Sequence, residues 1–117
     1  FLGVNYYFRQ LISAKSGRML EIPGARYTDM GWEVRASSLK DLLLRVSSEY
    51  PNLPPLFITE NGAAYKDFLT EDGRIDDQER IVFIEEHLKE AHAAIKAGVD
   101  LRAYFLWSLL DNFEWAY

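Results

Sequence analysis

Glu60 closes a short apolar run, Leu56-Phe57-Ile58-Thr59-Glu60-Asn61-Gly62, that follows Pro54 and Pro55. Such a run suits a strand buried on both faces, as in a parallel sheet. Asn61-Gly62 is a turn signal, so the chain leaves the sheet directly after the carboxylate. A carboxylate at the carboxyl end of a buried parallel strand stands where α/β barrels carry out their chemistry. The alternative is a strand end whose polar residue simply faces solvent.

Other residues of chemical interest fall at comparable places. Asn5 and Tyr7 lie at the end of an apolar strand over residues 1–7, in which Gly3, Asn5 and Tyr7 share one face and Leu2, Val4 and Tyr6 the other. The same pattern also fits a one-sided antiparallel strand with a polar outer face. Trp107 ends a third run, residues 101–108, in which Ala103, Phe105 and Trp107 share a face, and Glu114 and Trp115 follow in the next loop. Trp32 sits in a long connection, residues 8–36, punctuated by Gly17, Pro23, Gly24 and Gly31; it either lines a site or packs that loop onto the body. Flat indoles beside carboxylates suit a sugar, whose apolar ring face stacks on an aromatic while its hydroxyls bond to carboxylate and amide. A phosphate site would call for a Gly-rich loop and cations, and neither a P-loop nor GxGxxG is present.

The elements that must hold these groups alternate. A helix is expected over residues 38–50, with Ser38 and Asp41 as a capping pair, an apolar stripe of Leu39, Leu42, Leu43, Val46 and Tyr50, and Pro51 as its stop. After the strand ending at Glu60 comes a loop over residues 61–75 with a turn at Glu71-Asp72-Gly73. A second helix is expected from about Asp77 to Ala97, burying Ile81, Ile84, Leu88, Ala91 and Ile95, with Glu85, Glu86, His87 and Lys89 on a solvated flank and Gly98 as the stop. Strand, helix, strand, helix, strand is the order of a parallel α/β sheet.

Composition narrows the chemistry. Of 117 residues 49% are hydrophobic and 15% aromatic, enough for a core and unlike a disordered chain. A net charge of −5 argues against a nucleic-acid surface. Cysteine is absent, which removes disulfides and thiolate metal sites and tips an otherwise unreadable location slightly toward the cytoplasm. His87 and His92 do not share a helix face and read as surface or packing residues; no metal or organic cofactor is indicated. No run is long and apolar enough to span a membrane.

Four stretches together carry a family resemblance: residues 1–7 (Phe-Leu-Gly-Val-Asn-Tyr-Tyr), residues 29–33 (Asp-Met-Gly-Trp-Glu), residues 58–62 (Ile-Thr-Glu-Asn-Gly) and residues 105–115, from Phe105-Leu106-Trp107 to Phe113-Glu114-Trp115. In this order and spacing the chain resembles the carboxyl-terminal part of a family 1 glycoside hydrolase of the β-glucosidase type. The resemblance implies a partial (β/α)8 TIM barrel, an α/β fold of which residues 1–117 form part of one catalytic domain and supply strands six to eight, roughly the last three βα units. It implies a retaining β-glycosidase in which Glu60 is the nucleophile and Tyr7 holds it. Asn5 matches an amide at the same centre, Trp107 the platform under the sugar, Glu114 and Trp115 the pair gripping its outer hydroxyls, and Trp32 the leaving-group side. Retention needs two carboxyls about 5–5.5 Å apart. The family's acid/base glutamate, in an Asn-Glu-Pro motif on the fourth strand, has no counterpart here, nor do the sugar-binding His and Gln of earlier strands, and the family sequence continues past the position of Tyr117. The expected partners are a β-glucoside or oligosaccharide and the remaining N-terminal barrel segment, on the same parent chain or as a separate fragment. The alternative is a non-catalytic sugar-binding or structural fragment. Three parallel strands with open edges do not close a barrel, so the 117 residues alone are not expected to form a stable, active enzyme. Nothing in these residues fixes glucose against galactose or fucose.

Overall fold

A computed structural model describes residues 1–110 and 112–113. The elements follow the expected alternation: β1 (Leu2–Asn5), α1 (Ser37–Glu49), β2 (Leu56–Asn61), α2 (Gln78–Lys96) and β3 (Leu101–Leu106). The three strands form one sheet in the order β1-β2-β3, and both pairings are parallel. The core lies between sheet and helices, where Leu39 and Leu43 of α1 meet Leu56 and Ile58 of β2, Tyr6 beyond β1, Ala91 and Ala94 of α2, and Val99 and Leu101 at the start of β3.

The helices differ from the sequence-based expectation in instructive ways. Ala36, not a polar side chain, precedes α1, and no side chain caps it; Ser38 already lies inside the first turn, where the N–H groups of Ser38 and Leu39 donate to the carbonyls of Arg35 and Ala36. The stripe holds for Leu39 and Leu43, both fully buried, and partly for Leu42 and Val46. Tyr50 leaves it and is 59% exposed. The cause is Pro51, which disfavours helical backbone at the residue before it; Tyr50 is extended at φ −113°, ψ 105°.

In α2 the buried residues are Phe83, His87, Ala91 and Ala94. Of the expected face only Ala91 is buried; Ile81, Leu88 and Ile95 are exposed and Ile84 is half-buried. Small Ala91 and Ala94 join the core cluster, where their size lets the helix pack closely. Glu85 pairs with Lys89 at 2.6 Å and Glu86 with Arg26, as befits a solvated flank, but His87 does not belong to it. His87 is wholly buried, stacks on Phe83 at 4.0 Å between ring centroids, and donates from Nδ1 to the Phe83 carbonyl at 2.7 Å. Burial pushes its pKa down. His92 is exposed.

The punctuation is legible throughout. Gly98 stops α2 with φ +100°, where a side chain would be strained. The turn at residues 71–73 forms, with the Gly73 N–H donating to Thr70 at 2.9 Å. The long connection 8–36 contains two small antiparallel contacts, Ile12 with Met19 and Tyr27 with Glu33, and the second lands beside the carboxyl end of β1.

Candidate active site

Strict alternation along β2 would place Glu60 on the same face as Leu56 and Ile58, toward the helices. It does not lie there. The pairing slips: Val4 is opposite Ile58, but Asn5 is opposite Glu60, so Thr59 is passed over. A second slip separates Ile58 from Asn61 on the β3 side. These bulges insert one residue, so Asn61 takes the buried position on the core side and Glu60 turns to the mouth of the sheet. There the carboxyl ends of all three strands border a cleft of about 580 Å³, whose lining includes Asn5, Tyr7, Trp32, Glu60 and Trp107. Among the described residues Glu60 is the single carboxylate lining it. Of the seven site residues read from sequence, these five come together; Glu114 and Trp115 lie outside the described residues.

The Tyr7 hydroxyl donates to Glu60 Oε2 at 2.6 Å, the short length of a charge-assisted bond. Asn5 is engaged otherwise: its Oδ1 accepts from the Thr59 hydroxyl at 2.6 Å. Trp32 stacks on Phe8 at 4.9 Å with an interplanar angle of 14° and tilts against Tyr7 at 5.3 Å. Trp107 is 43% exposed, with its backbone N–H donating to the Asn61 carbonyl at 2.9 Å.

Asn61 was legible in the sequence only as part of a turn, yet it ties the three strands together beneath the carboxylate. Its Nδ2 donates to the Tyr6 carbonyl at 2.7 Å, and its Oδ1 accepts from the Tyr104 hydroxyl. Burial pushes the Tyr104 phenol up to about 12, so it remains a donor at any physiological pH. Gly62 follows, and a Cβ there would lie 1.7 Å from the Trp107 carbonyl oxygen, so only glycine lets the ends of β2 and β3 meet this closely. Arg80 also reaches the cleft, but its charge is taken up by Asp67 and Asp77, each at 2.7 Å, and it donates further to the Tyr65 carbonyl.

A carboxylate held by a phenol beside aromatic side chains can attack an electrophilic carbon or stabilise a cationic one. The whole chain, residues 1–117, matches the sequence model of glycosyl hydrolase family 1. The chain belongs to glycosyl hydrolase family 1. Among its curated relatives, β-glucosidase A of Thermotoga maritima is 43% identical over 120 residues, covering 99% of this chain and 27% of the relative. β-Glucosidase A of Acetivibrio thermocellus is 51% identical over 90 residues, covering 77% of this chain and 20% of the relative. The solved structure of the Thermotoga maritima β-glucosidase with deoxynojirimycin superposes with a TM-score of 0.90 at 44% identity, covering 97% of this chain and 26% of that one. The family 1 chain thus spans between a fifth and about a quarter of the length of these relatives. Its three-stranded parallel sheet is part of the α/β architecture of family 1 barrel enzymes.

Proposed function

We propose that these 117 residues are the carboxyl-terminal part of a single (β/α)8 catalytic domain, with β1, β2 and β3 as its sixth, seventh and eighth strands, and that the parent protein is a retaining β-glycosidase acting on β-linked glucosides. Glu60 attacks the anomeric carbon. A second carboxyl group, outside this chain, protonates the glycosidic oxygen, and the aglycone leaves as an alcohol. Water then attacks the same carbon, giving its proton to that second group, and the bond to Glu60 breaks to regenerate the carboxylate. Tyr7 fixes the attacking group, and Asn5 borders the same centre. Trp107 is the platform beneath the sugar ring, Glu114 and Trp115 grip its outer hydroxyls, and Trp32 walls the leaving-group side.

The observation that carries this reading is the 2.6 Å bond from Tyr7 to a cleft-lining Glu60. The exposure of Phe105 and Leu106, together with the unpaired outer edges of β1 and β3 among the described residues, agrees with a sheet that is completed by preceding βα units. The test is Glu60→Gln in the complete protein. Turnover of an aryl β-glucoside is expected to fall about 10⁴-fold or more with folding intact. Hydrolysis near the wild-type rate in that variant would end the proposal. The isolated chain, in which Glu60 is the single cleft carboxylate among the described residues, is expected to show no hydrolysis even where calorimetry detects glucose or cellobiose binding.

A further inference from the structure

The long connection 8–36 could have been anchored anywhere on the rim, yet its far end is clamped by the three residues that directly follow β1 and its neighbouring Tyr6. Tyr7 and Phe8 hold the Trp32 indole by ring contacts. Arg9 then grips Glu33 through two parallel bonds, Nε to Oε2 at 2.8 Å and Nη2 to Oε1 at 3.0 Å. Glu33 is only 9% exposed, and the guanidinium holds its carboxyl below the usual carboxylate range. A planar fork on a carboxylate fixes both distance and orientation, which a single point charge would not.

The tip that presents Trp32 is stiff within itself. Trp32 donates from its backbone N–H to the Thr28 hydroxyl at 3.3 Å and accepts from the Thr28 N–H at 2.9 Å. Gly31, at φ +73°, supplies the left-handed turn between them. A stiff tip transmits its anchor's position to the indole. Besides the rings and Arg9, the tip meets the rim through the Asp29 N–H, which donates to the Ala64 carbonyl at 3.0 Å.

We infer that the Arg9–Glu33 ion pair is a positioning latch that seats Trp32 against Tyr7 and Phe8, and so sets how tightly the leaving-group half of the substrate is held. The inference rests on the glycosidase reading above, in which Trp32 walls that side. Neither Arg9 nor Glu33 lines the cleft; both act through the indole. The latch governs binding of the aglycone more than that of the sugar, because Trp107 is set by the Asn61 carbonyl and Gly62, and Tyr7 reaches Glu60 through its hydroxyl while the indole meets only the Tyr7 ring.

The experiment uses the complete enzyme with Arg9→Met and Arg9→Lys. KM for cellobiose and for an aryl β-glucoside is compared with the inhibition constant of deoxynojirimycin, which lacks an aglycone. Arg9→Met is expected to raise both KM values about 5–20-fold while the inhibition constant stays within about twofold, with Arg9→Lys between it and wild type. An unchanged KM in Arg9→Met, or a KM and an inhibition constant that rise by the same factor, would overturn the latch. Hydrolysis by the wild-type enzyme, lost in Glu60→Gln, distinguishes a failed latch from a failed glycosidase assignment.

Discussion

Replacing Gly62 by alanine tests whether the ends of β2 and β3 are packed as closely as the structure shows. Gly62 has no positive φ, so its backbone is open to any residue and only contact opposes the change. The added Cβ would stand 1.7 Å from the Trp107 carbonyl oxygen and 2.8 Å from its carbon. Both obstacles are backbone, which cannot swing aside as a side chain does. Restoring ordinary contact requires a shift of more than about 1 Å, with the bond from the Trp107 N–H to Asn61 resisting it. Overpacking of this kind costs about 1–3 kcal/mol, and loss of that hydrogen bond adds about 0.5–1.5 kcal/mol. Because the shift falls on the proposed sugar platform, beside the proposed nucleophile, kcat/KM is expected to drop about 10–100-fold. Denaturant unfolding and steady-state hydrolysis of an aryl β-glucoside, both on the complete enzyme, read the two effects. A Gly62→Ala enzyme with wild-type stability and turnover would refute the packing argument.

Two further perturbations address the support beneath the site. Asn61→Ala strands the Tyr6 carbonyl and the Tyr104 hydroxyl inside the protein, and is expected to cost about 2–4 kcal/mol in denaturant unfolding; adding Tyr104→Phe removes one orphan and should recover part of the loss, whereas a single-variant cost below about 0.5 kcal/mol would contradict the strap. His87 has its pKa depressed in the folded state by burial among Phe83, Tyr6 and the α2 turns, with Glu86, Glu90 and Arg26 as its charged neighbours. Its stabilising effect is therefore full above the ordinary imidazole range, near pH 6.5, and is lost as pH falls below it, because the unfolded chain takes up a proton that the folded one resists. Unfolding midpoints at pH 7.5 and about 5.5 should diverge less in His87→Leu than in wild type.

Much of the fold could be read from the sequence because its signals are local. Pro51, Gly73 and Gly98 mark their breaks by backbone geometry alone, and the apolar runs at residues 2–5, 56–61 and 101–106 need only burial to become strands. The face of α2 could not be read this way. Ile81, Leu88 and Ile95 are as apolar as any core residue, yet they are exposed while Phe83, His87, Ala91 and Ala94 face inward. His87 shows the same limit, since nothing in its neighbours announces a buried imidazole. At the site, Glu60, Asn5, Tyr7, Trp32 and Trp107 could be named from motif and strand position, and the cleft gathers all five. The bulge that aims Glu60 leaves no trace in periodicity; strict alternation would have pointed it the wrong way. Arg9 and Glu33 lie 24 residues apart, and Asn61 spans from β1 to β3, so neither contact has a local signature.

The clamp from Arg9 to Glu33 has a consequence for how such an enzyme can change. Between its jaws the polypeptide makes its own small hairpin, closed where Ser13 receives from Gly17 at 2.8 Å and donates to Arg18 at 2.9 Å. With both ends pinned, doubling the intervening length adds only about 0.6 kcal/mol of closure entropy. New residues grafted at that hairpin are therefore expected to leave the ring contacts of Trp32 and the cleft behind it in place, because none of residues 13–18 lines that cleft.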